Sequence, residues 1–158
     1  MALQTSVVTA APVAVPGMAA TPDQSVYTPL NYLADDTNGV HVGRFVWFDA
    51  DGNLSNTQVA STLPVGLVER VINYPIYDVT AAGSDLVPPT YPVTCAVKGD
   101  YYVVTATAAT VGQKVFAMGD GTIKTDAPGA TVTGGIETSW VVKTAGDADG
   151  IILISNWA

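Results

Sequence analysis

From Tyr27 onward, short stretches of alternating apolar and polar side chains are broken by turn-forming residues at intervals of roughly 8 to 12 positions, the rhythm of a sandwich or barrel. In Tyr91 to Lys98, for example, Val93, Cys95 and Val97 point to one side and Thr94, Ala96 and Lys98 to the other, which places Cys95 in a core. The same reasoning predicts strands over residues 44–48, 66–72, 101–107, 114–118, 139–144 and 151–155, and Asn38-Gly39 reads as a hairpin turn. No segment of ten or more residues carries helical periodicity; residues 105–111 are Ala-rich but short and laden with Thr. The predicted fold is all-β, a compact antiparallel β-barrel or jelly-roll-like sandwich.

An internal repeat sharpens this picture. Val42-Gly43-Arg44-Phe45-Val46-Trp47-Phe48-Asp49-Ala50-Asp51-Gly52-Asn53-Leu54 aligns without a gap on Val111-Gly112-Gln113-Lys114-Val115-Phe116-Ala117-Met118-Gly119-Asp120-Gly121-Thr122-Ile123, at an offset of 69 residues. Gly66-Leu67 meets Gly135-Ile136 at the same offset, and one residue of slippage brings Glu69 beside Glu137. Each unit, about 42–71 and 111–142, reads as a strand, an Asp-Gly hairpin, a second strand and a Gly-led strand. Neither unit buries its apolar face alone, so a pseudo-symmetric fold is expected.

Residues 1–25 differ in character: Pro12, Pro16, Gly17 and Pro22 interrupt them, no basic residue occurs, and neither period is sustained. They are expected to form an extended N-terminal arm on a single β-domain, residues 26–158. The arm's valines, Val7, Val8, Val13 and Val15, suit docking on a neighbouring subunit, with a fraying terminus as the alternative. Without a basic start, and with prolines inside the apolar stretch, residues 1–20 are not expected to act as a secretion signal.

Composition then removes whole classes of function. Six Lys and Arg against fourteen Asp and Glu give a net charge of -8, so no dense cationic stripe exists for nucleic acid or an anionic membrane. No apolar run reaches the 18 or so residues of a membrane-spanning helix. Only 13% of residues are charged while 48% are hydrophobic, a balance that points to surface covered by other protein.

Candidate chemistry is sparse. Asp49-Ala50-Asp51-Gly52-Asn53 opens like a calcium loop, but Leu54 stands where its glycine belongs and Ala60 where its bidentate glutamate belongs; a hairpin turn is expected, with Asp51 and Gly52 carrying it. His41 is the only histidine, with no marked aspartate partner, and reads as a strand-edge residue. Cys95 reads as a buried, inert thiol. Neither a catalytic set nor a metal or cofactor site is predicted. Trp47, Trp140 and Trp157 could stack on sugar rings, which keeps a glycan-binding surface module as the alternative function, although core or interface placement is commoner. Tyr27, Tyr32, Tyr74 and Tyr77 lie beside prolines or loops and, with the four arm valines, are the candidate contact residues.

The segment Val97-Lys98-Gly99-Asp100-Tyr101-Tyr102-Val103-Val104-Thr105-Ala106, with Val111-Gly112-Gln113-Lys114-Val115-Phe116, Asp120-Gly121-Thr122-Ile123-Lys124-Thr125 and Gly150-Ile151-Ile152-Leu153-Ile154-Ser155-Asn156-Trp157, resembles the structural cement or decoration proteins of tailed bacteriophage capsids. Gly43-Arg44-Phe45-Val46-Trp47 and Pro64-Val65-Gly66-Leu67-Val68-Glu69-Arg70 extend the likeness to about residues 27–157. The resemblance implies a non-enzymatic virion protein on the exterior of the capsid. It would bind the major capsid protein, bridge neighbouring capsomers and act as a homodimer or homotrimer.

Overall fold

The computed structural model describes residues 14–21, 24–59, 61–71 and 85–157. Two five-stranded antiparallel sheets dominate them, and no α-helix occurs among the described residues. In order of position, the first sheet holds β1 (Val26–Tyr27), β9 (Cys95–Lys98), β6 (Gly66–Val68), β4 (Phe45–Phe48) and β5 (Leu54–Ser55). The second holds β10 (Asp100–Val104), β14 (Ile151–Ser155), β13 (Gly135–Val142), β11 (Lys114–Met118) and β12 (Ile123–Asp126). Two ribbons complete the set, β2 (Tyr32–Leu33) with β8 (Pro92–Val93) and β3 (Val40–His41) with β7 (Leu86–Val87).

Both sheets have one topology: from edge to edge they use the first, fifth, fourth, second and third of their own strands in chain order. The repeat in the sequence is therefore a repeat in the structure, and it persists in individual hydrogen bonds. The Asp49 amide donates to the Asn53 carbonyl and the Gly52 amide to the Asp49 carbonyl; at the same 69-residue offset, Met118 donates to Thr122 and Gly121 to Met118. Each sheet also curls toward its far edge through one parallel bridge, Ala34 to Leu54 in the first and Thr105 to Ile123 in the second. One bridge is too short a ladder to seal an edge, so the architecture is a sandwich of curled sheets and the barrel does not close.

The two units pack outer face to inner face. Along β4, Val46 joins a core cluster with Leu54, Val40, Val68, Val87, Val93 and Cys95, the interior of the first unit. Phe45 and Trp47, on the opposite face, join Leu67 and Ala96 in a second cluster. That cluster also holds Val115, Ile123, Trp140, Val142, Ile152 and Ile154, the interior of the second unit. The equivalents of Val46 and Leu54 are Val115 and Ile123, so the convex side of the first sheet plugs the concave side of the second. Phe45 meets Trp140 edge-on, with ring centroids 6.4 Å apart.

Several expectations change here. Ala96, assigned to a polar face, is buried because the first sheet is covered on both sides, which also explains the unbroken apolar run Phe45-Val46-Trp47. The Asn38-Gly39 turn is not a hairpin. Asp35 accepts from the Thr37 and Asn38 amides through its carboxylate, and the turn joins β2 to β3, which belong to different ribbons. Residues 17–20 of the expected arm are seated on the chain itself. The Gly17 and Ala20 amides donate to Tyr102 and Asp100, the Tyr102 amide donates to Met18, and Arg70 donates to Gly17 and Pro16 across from the first sheet. Gly17 and Gly43 make this possible. Both have positive φ, and a Cβ on either would lie within 2.9 Å of the other's amide nitrogen.

Candidate functional site

Turn chemistry accounts for the aspartate-rich loop after β4. The Asp49 carboxylate accepts from the Asp51 amide at 2.9 Å and the Asn53 amide at 2.8 Å, while Gly52 supplies the positive φ. Asp49, not Asp51, is the residue whose side chain closes the turn. In the second unit Met118 stands at that position and the load moves to Asp120, whose carboxylate accepts from the Thr122 amide and hydroxyl. Asp35 and Asp120 are held below the usual carboxylate range. For Asp35 the cause is hydrogen bonding, from the Asn38 amide first and then the Thr37 amide; for Asp120, the largest single influence is a desolvation that acts upward, and the hydrogen bonds from Thr122 and the backbone, with the Arg44 charge, together outweigh it.

His41 does have an aspartate partner. Its Nδ1 lies 3.2 Å from Asp85 Oδ2, because β3 pairs with β7 and Asp85 immediately precedes β7. The two are 44 positions apart, and no spacing rule links them. Both are about a third exposed, so the contact is a solvent-accessible hydrogen bond of small energetic weight. Asp85 also lines a cavity of about 290 Å³ between the units, together with Arg44, Asp149, Thr122, Val42 and Val104.

The groups with raised pKa lie elsewhere. Burial pushes the Cys95 thiol up to about 12 among Val93, Val68 and Gly66, which keeps it protonated and inert. Glu69 is raised, chiefly by burial, beside Tyr101, whose hydroxyl donates to Ser25 at 2.7 Å and is 3.5 Å from the Glu69 carboxylate. Neither Cys95 nor Glu69 lines the cavity. No group of three or more His, Cys, Asp or Glu side chains with the geometry of a metal site occurs among the described residues.

The predicted contact residues scatter. Tyr27 is exposed on the edge strand β1; Tyr32 is half-buried, its ring edge-on to Phe48 at 4.8 Å; and Val15 is half-buried near the Pro16-Gly17 turn. Val7, Val8, Val13, Tyr74 and Tyr77 lie outside the described residues. Of the three tryptophans, Trp47 and Trp140 are core residues, Trp47 donating to the Thr62 carbonyl, and only Trp157 is exposed.

Composition pointed to a surface covered by other protein, but not to the exposed apolar residues that form it. Leu30, Leu33, Tyr91, Leu63 and Val111 are exposed, Leu63 at 67% and Val111 at 64%, and Leu33 pairs across its ribbon with exposed Pro92. On the second sheet Val104 pairs with Ile151 and Tyr102 with Leu153, all on the face opposite the core. Strand alternation carries a signal for the second group, since Val103 and Val104 point to opposite faces, but apolar residue type alone does not tell a covered face from an open one.

Comparison with known proteins gives this surface a setting. A family model described as XM1 gp53 minor capsid protein matches residues 3–156. In the solved capsid of Myoviridae phage XM1, one chain aligns over 99% of this protein and 98% of its own length, at 20% identity and a TM-score of 0.65. That likeness shows a shared fold. No match was found among curated proteins. With nearly every residue inside the family match, the chain belongs to the XM1 gp53 minor capsid protein family, and it is a structural protein of a bacteriophage virion.

Proposed function

We propose that the protein is a capsid cement: it binds the outer surface of the shell built from the major capsid protein, bridges neighbouring capsomers and stabilises the closed virion. The observation that carries this reading is the apolar surface of a minor capsid family member. Leu30, Leu33, Tyr91, Leu63, Val111, Val104 and Ile151 are exposed and are spread over the β2–β8 ribbon, the loops and the β10–β14 pair, which offers a bridge more than one apolar surface element. A role in binding rather than catalysis agrees with the inert Cys95 and with Glu69 lying away from the cavity. Tyr27, the arm valines Val7, Val8 and Val13, and Tyr74 and Tyr77 remain the proposed contact residues. Self-association as a dimer or trimer belongs to the same reading, because several weak contacts per oligomer add through high effective concentration. The charge of -8 argues against packaged nucleic acid as a partner.

A bridge of this kind binds the assembled shell better than separate subunits and thereby shifts the balance toward the shell. The test is co-sedimentation with expanded and unexpanded cognate shells, with copy number read by quantitative mass spectrometry. Saturation at a fixed ratio to the capsid subunit is expected. A folded protein that stays in the supernatant would refute cement function and return attention to soluble glycans.

A further inference from the structure

We infer that Asn38-Gly39 is a latent site of spontaneous backbone modification, closure of the Asn38 carboxamide onto the Gly39 nitrogen, and that Asp35 is the residue that holds it shut. This is the only Asn-Gly pair in the chain, and glycine, lacking a side chain, leaves the backbone nitrogen after Asn38 open to the carboxamide. Asn38 is exposed, so solvent reaches it. In the reaction the Gly39 nitrogen gives up its proton to solvent base and bonds to Asn38 Cγ, the Cγ–Nδ2 bond breaks, and the departing nitrogen takes up a proton and leaves as ammonia. Water then opens the cyclic imide at either carbonyl, giving aspartate or the isomer whose main chain runs through Cβ and Cγ. Water is the only co-reactant.

The fold restrains the reacting groups through one residue. The Gly39 amide donates to the Asp35 carbonyl at 3.0 Å, which ties up the proton that attack requires it to lose. The Asp35 carboxylate accepts from the Thr37 and Asn38 amides, each at 2.9 Å, which fixes the backbone on the other side of the carboxamide. Gly39 has little room to turn. Its φ is +67°, and a Cβ on it would lie 2.3 Å from the Val87 carbonyl oxygen. The next residue, Val40, is fully buried and pairs with Val87. Bringing the Gly39 nitrogen onto Asn38 Cγ therefore requires the turn over residues 35–39 to open. The isomerised chain, longer by one backbone carbon, does not fit the same span between Asp35 and the β3–β7 ribbon.

The test is peptide-mapping mass spectrometry of the full-length chain aged in mildly alkaline buffer, following aspartate and isoaspartate at position 38 over time. The unaltered folded chain is expected to convert slowly, and Asp35→Ala about tenfold faster, the factor by which losing one or two net hydrogen bonds shifts a closed turn toward open. Asp35→Asn, which keeps a carbonyl acceptor on the side chain, should stay near the original rate. Equal rates for the unaltered chain and folded Asp35→Ala would overturn the inference, as would an unaltered chain that converts as fast in buffer as in urea. Should Asp35→Ala fail to fold, hydrogen exchange at the Gly39 amide of the unaltered chain decides. Slow exchange supports the closed turn, and exchange as fast as in the urea-unfolded chain overturns it. Purified protein without shells suffices, so no outcome depends on cement function.

Discussion

The carboxylate of Asp49 receives two backbone amides that the Asp-Gly turn would otherwise leave to solvent, while the neighbouring Asp51 is exposed. Net hydrogen-bond contributions of about 1 kcal/mol each give Asp49→Ala an expected cost of about 1–2 kcal/mol. Asp51→Ala should stay within about 0.5 kcal/mol, as surface substitutions do. Urea titration of the two variants separates them, and equal midpoints would mean that the turn does not depend on Asp49. Residue chemistry also sets the pH response. Asp35 and Asp120 have depressed pKa values, so their stabilisation is present above the usual aspartate range and is lost as pH falls through their lowered folded values. Glu69 works in the opposite sense. Its folded pKa is raised, so the native state favours the protonated form and stability declines as pH climbs from the usual glutamate range through the raised value. Glu69→Gln should therefore raise the melting temperature at neutral pH and remove that decline while keeping acid destabilisation from Asp35 and Asp120. An unchanged pH profile would show that ionised Glu69 is not strained. None of this was legible beforehand in Glu69, because Tyr101, the neighbour whose hydroxyl lies 3.5 Å from its carboxylate, is more than thirty positions away.

At the scale of elements, the two hairpins are alike in hydrogen bonding and unlike in surroundings. The first presents its turn to solvent, and a Cβ on Gly52 would meet nothing within 4 Å. The second docks its turn against β4: Gly121 accepts from the Phe45 amide, and a Cβ on Gly121 would lie 2.5 Å from the Phe45 carbonyl oxygen. Both glycines have positive φ, so Gly52→Ala is expected to cost about 1 kcal/mol from the backbone alone. Gly121→Ala adds a backbone clash and should cost about 3 kcal/mol. Thermal unfolding of both variants tests this, since equal losses would mean that the docking of the second turn carries no weight. The repeat itself was readable because hairpins are local: β11 and β14 were predicted with the boundaries the structure shows, and the 69-residue offset reappears in the turn hydrogen bonds. The ribbons β2–β8 and β3–β7 were not readable. Their strands are two residues long, their partners lie dozens of positions away, and a two-residue strand has no period to detect. The same non-local pairing hid the Asp85 partner of His41.

For the whole molecule, the decisive division lies within the N-terminal segment. The sequence alone places residues 1–25 in an arm outside the β-domain, but residues 16–20 belong to the fold. They join the edge of β10 to Arg70 through Gly17, Met18 and Ala20, and the Gly17–Gly43 contact holds the two units at a separation that no side chain permits. Removing residues 1–20 deletes several backbone hydrogen bonds and uncovers Tyr101, so it should cost at least about 3 kcal/mol and lower the melting temperature by roughly 6 to 12 °C for a chain of this size. Removing residues 1–13 leaves every one of those bonds in place and should change the melting temperature by less than about 3 °C. The two truncations then separate folding from assembly. If the arm contributes to capsid contact, the shorter deletion retains a folded protein that leaves heated shells sooner than the full chain. If that variant is retained as well as the full chain, shell contact rests on the described apolar surface of Leu30, Leu33, Tyr91 and Leu63 instead. A stable protein after the longer deletion would show that the Gly17 seat on β10 is dispensable, and that the Phe45–Trp140 cluster with the Phe45–Gly121 and Gln58–Gly119 hydrogen bonds suffices to hold the two sheets.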